Sequence, residues 1–301
     1  MIGLRELAAL VEEHGEHLDH EVAPFVVGGT AHDTDATPLL MGVVNLSRDS
    51  WYRESVAATR EAAVRRGTVL AAQGAGLVDV GAESVVDTAD RVAADEQTRR
   101  LVPVIEDLAA AGVAVSVESY HPSVVRRCLE AGAVVLNLTG SVDDEEMFGL
   151  AAAHDASVVL CHIVGDNARE LHDPSRNPVA QDPFPAMEEQ FARRLETARS
   201  AGVTSVAIDP GLGFGFSWLP DPVDRARYQA TSLLQTFRLR HLGAPICHAL
   251  PAAMDVFGEE VRTAEGYFAV LAHLGRTGIY RTHEVTRVDA VLTAMRVFAA
   301  S

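Results

Sequence analysis

Eight short apolar runs alternate with eight helical stretches from Pro38 to the C-terminus, and this alternation constrains the fold more than any other feature. The runs are LLMGVVN (39–45), LVDVG (77–81), VAVSVE (113–118), VVLNL (134–138), SVVLCHI (157–163), SVAID (205–209), PICHAL (245–250) and GIYRTH (278–283). Each is nearly continuous in hydrophobic residues, the pattern of a strand buried on both faces of a parallel sheet. Helical spacing is legible near 56–73, 95–111, 122–132, 144–154, 184–201, 221–241, 258–274 and 285–299. Glycine recurs where a helix stops and a strand starts, in AGV or AGA at 111–113, 131–133 and 201–203. Eight strand–helix units predict a single (β/α)8 TIM barrel. A doubly wound open sheet is the competing arrangement, but no GxGxxG follows the first strand. Residues 1–37 form a separate N-terminal helical extension and connector, with an amphipathic helix around Leu4–His20 packing across one end of the barrel. The barrel itself occupies 38–301.

In a barrel of this kind the chemistry sits at the carboxyl ends of the strands. Those ends carry Asn45, Glu83, Glu118, Asn137, His162, Asp209, His248 and the pair Arg281 and His283. Any one of them has an ordinary structural use, such as capping the next helix. Polar or ionisable groups at every end of one mouth point to a binding site.

Composition narrows the partners. With 25 basic against 42 acidic residues the formal charge is −17, which repels a phosphate chain and disfavours nucleic acid as a partner. The three cysteines, Cys128, Cys161 and Cys247, are scattered without a CxxC pair, so neither a disulfide framework nor a structural zinc site is indicated. No signal-peptide pattern and no membrane-length apolar run is present, which predicts a soluble, cytoplasmic protein. All 25 basic residues are arginine, and the chain contains no lysine.

The motifs resemble the dihydropteroate synthase family. MGVVNLSRDSW (41–51) looks like its N-x-T-P-D-S-F loop, and VDVGAES (78–84) like D-V-G-G-E-S. VSVESYHPSVVRRCLEAGAVVLN (115–137) parallels its S-V-D-T stretch, helix and I-I-N strand; VVLCHI (158–163) parallels V-L-M-H-M. AIDPGLGFG (207–215) is close to L-D-P-G-I-G-F-G, and YRTHEV (280–285) to R-V-H-D-V. The resemblance implies an enzyme that condenses 6-hydroxymethyl-dihydropterin pyrophosphate with an aromatic amine, p-aminobenzoate, and releases pyrophosphate. It places Asp209, Asn137 and Glu118 on the pterin edge, with Glu118 standing where the family has aspartate. It stacks Arg281 on the pterin face and gives the pyrophosphate to Asn45, Arg281 and His283, Asn45 with a Mg²⁺ ion. Glu83, His162, Arg48, Trp51 and Phe214 complete the expected substrate contacts. A homodimer through the C-terminal helices is implied as well, where YFAVLAHL (267–274) and VDAVLTAMRVFAA (288–300) are apolar.

The departures remove positive charge. The family's S-R-K-S-F corresponds to Pro251-Ala252-Ala253-Met254, and with no lysine in the chain no realignment restores one. Its S-T-R-P is Ser84-Val85-Val86-Asp87, and Phe216 replaces the lysine after Phe214-Gly215. Arg48 and Arg53 on the first loop are the available substitutes. These losses predict weakened or altered condensation chemistry. The alternatives are a pterin- or folate-dependent methyltransferase and a non-catalytic pterin-binding protein. A metal hydrolase using His162, His248, His283, Glu118 and Asp209 is disfavoured: the pairs Cys161-His162 and Cys247-His248 must point to opposite faces of their strands. His14, His17 and His20 read as a solvated helix face.

Overall fold

The computed structural model describes residues 3–47, 56–84, 89–170, 182–213, 219, 221–251 and 253–299. Ten strands are assigned in that part of the chain. Two of them, β1 (Phe25–Val27) and β2 (Thr30–His32), form an antiparallel hairpin. The other eight are β3 (Leu39–Asn45), β4 (Leu77–Gly81), β5 (Val115–Ser119), β6 (Val135–Leu138), β7 (Ser157–Cys161), β8 (Val206–Asp209), β9 (Cys247–Ala249) and β10 (Ile279–Thr282).

These eight are hydrogen-bonded in parallel, in the order β8-β7-β6-β5-β4-β3-β10-β9. The remaining seam closes through the parallel bridge Ile208↔Ile246, where the Ile208 N–H donates to the Pro245 carbonyl at 2.9 Å. The sheet is therefore a closed barrel, and closure leaves no open edge.

Around it lie α2 (Arg60–Ala72), α3 (Ala94–Ala110), α4 (Pro122–Glu130), α5 (Asp144–Ala153), α6 (Phe184–Ser200), α7 (Pro222–Gln235), α9 (Val261–Leu274) and α10 (Val285–Ala299), with the single turn α8 (Met254–Phe257) ahead of α9. α1 (Leu4–His14) precedes the barrel. Sequence reading extends three helical stretches too far. The first helix stops at His14 and is followed by a short 3-10 turn, Gly15–His17. The stretch at 221–241 becomes a 3-10 helix at Thr236–Leu242, and 258–274 is α-helical only from Val261. No helix among the described residues is long and apolar enough to cross a membrane.

The connector after α1 holds a hairpin that the sequence reading passes over. Gly28 and Gly29 occupy the turn at φ 54° and 82°, the left-handed region that a two-residue hairpin needs. The hairpin seals the amino-terminal end of the barrel. Phe25 and Val27 pack with Leu39, Met41, Leu77, Val135, Val159, Ala207, Cys247 and Ile279, which fill the lower barrel interior. The Val26 backbone joins both sides: its N–H donates to Ser205 Oγ (2.9 Å), and its carbonyl accepts from Ser157 Oγ (2.6 Å). At Gly278 a Cβ would lie 2.5 Å from Thr34 Oγ1, so glycine lets the connector press against the start of β10.

Arg240 pins this plug. It is 2% exposed, grips both Asp35 oxygens (2.9 and 2.6 Å) and donates to the His20 carbonyl. Asp35 is about a third exposed and can be rehydrated, so losing the buried guanidinium costs less than breaking a fully buried pair, about 1–2 kcal/mol for the charged hydrogen bonds. Arg240→Met is expected to lower stability by about that amount in urea denaturation. It should also expose residues 3–37 to earlier cleavage in limited proteolysis.

Candidate functional site

Side chains alternate along a strand, so every second residue points into the barrel. Above the apolar layer the inward positions become polar. They are Asp79 of β4, Ser116 and Glu118 of β5, Asn137 of β6, Cys161 of β7, Asp209 of β8 and Arg281 of β10.

Arg281 organises this layer. Its Nε donates to Asp79 Oδ2 at 2.8 Å and its Nη2 to Glu118 Oε2 at 2.6 Å. Asn137 Nδ2 donates to the same Asp79 oxygen at 3.1 Å, and the Cys161 thiol contacts Asn137 Oδ1 at 3.5 Å. On the far side the Gly211 N–H donates to Asp209 Oδ1 at 2.7 Å; the positive φ of Gly211, 80°, turns that N–H back towards the strand end.

Three carboxylates thus share the barrel centre with one guanidinium. Burial raises Glu118 to about 7; Arg281 opposes the shift, while Asp79, Glu83 and Asp209 add to it. Burial likewise raises Asp209 to about 6, against the hydrogen bond from Gly211. For Arg281 burial disfavours the charge, but Glu118 and Asp79 more than offset it and hold its pKa above the ordinary value. Burial pushes the thiols of Cys161 and Cys247 well above their usual range, so neither is a ready nucleophile. Two buried acceptors in this layer, Asp79 Oδ1 and Ser116 Oγ, have no hydrogen-bond partner. They sit opposite each other in the β4–β5 register.

Asn45, the last residue of β3, and His283, the residue after β10, stand at the rim on neighbouring strand ends. The Asn45 carbonyl accepts from the Ala57 N–H at 2.8 Å, which starts the return of the chain towards α2. His283 is held from behind by Glu265 of α9, whose Oε1 lies 2.8 Å from His283 Nδ1.

Asp209, Asn137, Glu118 and Arg281 are brought together as expected, and Asn45 and His283 lie above them. Other expectations need correction. Arg281 is not poised at the rim for an anion, because two carboxylates hold its guanidinium inside the barrel. His162 does not face the interior. Cys161 takes the inward position, and the His162 ring packs near Phe191 of α6, centroids 5.9 Å apart, with burial lowering its pKa to about 4. His248 also turns to the helix side, where Nε2 lies 2.9 Å from Thr236 Oγ1. Glu83 leaves the barrel axis: it accepts from the Val92 N–H (2.9 Å) and from the Tyr120 hydroxyl. It lines a neighbouring cleft of about 660 Å³ together with Arg91, Tyr120, His121 and Asp166. Arg48, Arg53, Trp51 and Phe214 lie outside the described residues.

Sequence reading misses two groups. Asp79 is a lone carboxylate within the apolar run LVDVG, a signal that was available. Glu265 lies on an apolar helix far from any motif, and only folding brings it to His283.

Among the described residues no three His, Cys, Asp or Glu side chains are grouped to hold a metal. The rings of His17, His20 and His241 do cluster, with centroids 5.2–6.2 Å apart. Both nitrogens of His241 are already engaged, by the Arg238 carbonyl (2.8 Å) and by Glu188 (3.0 Å).

Residues 41–247 match the family model described as "Pterin binding enzyme". The dihydropteroate synthase of Mycobacterium leprae is 31% identical over 265 residues, covering 84% of this chain and 90% of that protein. The dihydropteroate synthase of Bacillus subtilis is 28% identical over 267 residues, 85% and 87% of the two chains. A protein named probable bifunctional folylpolyglutamate synthase/dihydropteroate synthase from Halobacterium salinarum is 31% identical, but the match spans only 30% of its length. Among solved structures, Xanthomonas albilineans dihydropteroate synthase with 4-aminobenzoic acid superposes with a TM-score of 0.76 at 28% identity, covering 93% of this chain and 99% of that one. The same organism's enzyme in complex with 7,8-dihydropteroate gives a TM-score of 0.72 at 25% identity, covering 93% and 99%.

The raised carboxylates make stability depend on pH. Between the unfolded value of 4.5 and the folded value of about 7, the folded chain keeps a proton on Glu118 that the unfolded chain has released. That contribution is full below pH 4.5 and is lost as pH rises through 7. Glu118→Gln should therefore flatten the decline in stability between pH 5 and pH 7.5, by about 2–3 kcal/mol relative to the parent. Urea denaturation of both proteins across that range is the measurement.

Proposed function

The chain belongs to the dihydropteroate synthase family of pterin-binding enzymes, and from that premise we propose that it binds a pterin of the 6-hydroxymethyl-dihydropterin pyrophosphate type in the barrel mouth and transfers the pterin-methyl group to an amine such as p-aminobenzoate. The observation that carries this reading is the buried row of Asp209, Asn137 and Glu118 around Arg281, with Asp79 Oδ1 and Ser116 Oγ lacking partners beside it. An aminopyrimidinone edge presents adjacent N–H donors, and a carboxylate such as Asp209 takes two in parallel. Asn137 donates and accepts at neighbouring ring atoms. The interior carries more acceptors than donors, so it favours a donor-rich heterocycle over an anion.

In the reaction the bond between the pterin-methyl carbon and the pyrophosphate oxygen breaks, and its electron pair leaves with the pyrophosphate. A carbon–nitrogen bond forms to the amine, which gives up a proton. Asn45 and His283 at the rim face the departing group. Asn45 supplies one hard oxygen donor, which suits a Mg²⁺ ion that keeps water and takes its other ligands from substrate phosphates. Such an ion would neutralise charge on the leaving group.

Among the described residues the rim carries little positive charge of its own. Ala253, at the N-terminus of α8, stands where the family has lysine, and the chain offers no lysine elsewhere. One preorganised electrostatic contact is worth about 10²–10³ in rate. Condensation is therefore weakened, or directed to a different nucleophile. The protein acts in the cytoplasm, a compartment suited to its unpaired, buried cysteines.

Calorimetry with the pterin and initial rates with p-aminobenzoate test this reading together. Asp209→Ala should weaken pterin binding by about 2–3 kcal/mol; unchanged affinity in a folded variant would sink the pterin assignment. Turnover is expected at least about 10³-fold below that of a family member with the lysine, and Ala253→Lys should raise it. Full synthase activity that survives Arg48→Ala with Arg53→Ala contradicts the weakened chemistry. Tight pterin binding with no turnover on any amine makes the protein a binder.

We also propose a homodimer through α9 and α10. Tyr267 and Leu274 are exposed one heptad apart on α9, and Val297 is exposed on α10. Light scattering at micromolar concentration should give twice the chain mass; a monomer there excludes this interface.

A further inference from the structure

Glu265 on α9 is 0% exposed, and its carboxylate is directed at the junction of β10 and α10. Four donors converge on it. The Thr282 hydroxyl donates to Oε2, and the backbone N–H groups of His283 (3.0 Å) and Glu284 (3.3 Å) point to the same oxygen. Oε1 takes His283 Nδ1 at 2.8 Å. No arginine pairs with this carboxylate among the described residues. One group therefore holds both the main chain and the ring of His283.

We infer that Glu265 is the positioning residue of His283, holding the imidazole with Nδ1 as its protonated nitrogen so that Nε2 is directed away from α9. The hydroxyl and both backbone N–H groups are donors, so this carboxyl serves as an acceptor throughout, and the nitrogen facing Oε1 is the donor. The ring's other nitrogen lies on the far side, away from α9. It accepts a hydrogen bond while the ring is neutral and donates one when the ring is charged. The role in turnover rests on the proposed departure of pyrophosphate past Asn45 and His283; the tautomer does not.

A plain helix cap would need only an acceptor for the two backbone N–H groups and the Thr282 hydroxyl. A glutamine at 265 has one, in the same shape. Its amide nitrogen, however, would face Nδ1 as a donor, which reverses the ring: Nδ1 becomes the acceptor and the proton moves to Nε2. Glu265→Gln thus separates the two roles, because it spares the cap and changes the tautomer.

The experiment compares the parent protein with Glu265→Gln and Glu265→Asp. Long-range ¹H–¹⁵N spectra, assigned with a His283→Ala variant, read the tautomer in the ligand-free protein. Thermal melts, pterin affinity and kcat are measured alongside. The parent should show the Nδ1–H form and Glu265→Gln the Nε2–H form. Melting temperature, and affinity for a pterin lacking the pyrophosphate, should stay close to the parent's, within twofold for affinity, while kcat falls at least tenfold. Glu265→Asp should keep the Nδ1–H form and recover part of the rate. An unchanged tautomer in Glu265→Gln overturns the proposal. So does a fall in kcat matched by equal losses in melting temperature and pterin affinity, since Glu265 would then only hold the fold. If the parent shows no turnover, the condensation reading fails separately. Affinity for Mg²⁺-pyrophosphate then replaces kcat: a fivefold change on Glu265→Gln supports the role, and no change overturns it.

Discussion

A single guanidinium makes the barrel's polar centre possible. Asp79, Glu118 and Asp209 arrive there on three different strands, and each would be costly to bury alone. Arg281 gives two of them a charged donor at 2.6–2.8 Å, and Asn137 gives Asp79 a second hydrogen bond. At an effective dielectric constant of 20, unit charges about 4 Å apart still attract by about 4 kcal/mol. That attraction holds the layer in place, and it is not enough for all three carboxylates. Burial, only partly opposed by Arg281, raises Glu118 and Asp209. The barrel centre is thereby prepared for N–H donors, which relieve the excess of acceptors.

The same residue type is used across the molecule wherever separate elements must be tied. Arg194 is 1% exposed and reaches Asp144, the Gly140 carbonyl and the Cys161 carbonyl, joining α6 to the ends of β6 and β7. Arg240 does this for the N-terminal plug. A planar fork with five donors can serve several acceptors in fixed directions, which a lysine ammonium on a flexible stem does less well. A chain whose cations are all arginine is well supplied for such ties. The consequence at the mouth is less favourable, because Arg281 is engaged inside and does not stand at the rim as a free cation.

The strands were legible because a barrel strand is buried on both sides. LLMGVVN and LVDVG coincide with β3 and β4 to the residue. Most later runs start one or two residues before the strand, and those of β7, β9 and β10 also end one or two residues after it, since apolar character continues beyond the hydrogen-bonded ladder, whereas β5 extends one residue past its run. The hairpin before β3 was missed although Gly28-Gly29 marks a tight turn, because its strands are only three residues long. Of the site, Asp209, Asn137, Glu118 and Arg281 were legible from their strand-end positions. His162 and His248 were misread as facing the mouth. A position near a strand end fixes height along the barrel, whereas the inward or outward sense depends on which of two neighbours is in register.

By itself the sequence determined the architecture. Eight apolar runs separated by amphipathic helices bury their surfaces in a parallel sheet covered by helices, which eight regular units close into a barrel, and the absence of lysine excludes a lysine from any role. Tertiary structure decided which polar groups meet. Arg281 lies 202 residues from Asp79 and 163 from Glu118, and Glu265 reaches His283 from a helix outside the barrel. No local pattern encodes those pairings, because electrostatic interaction depends on distance in space. Barrel closure sets that distance.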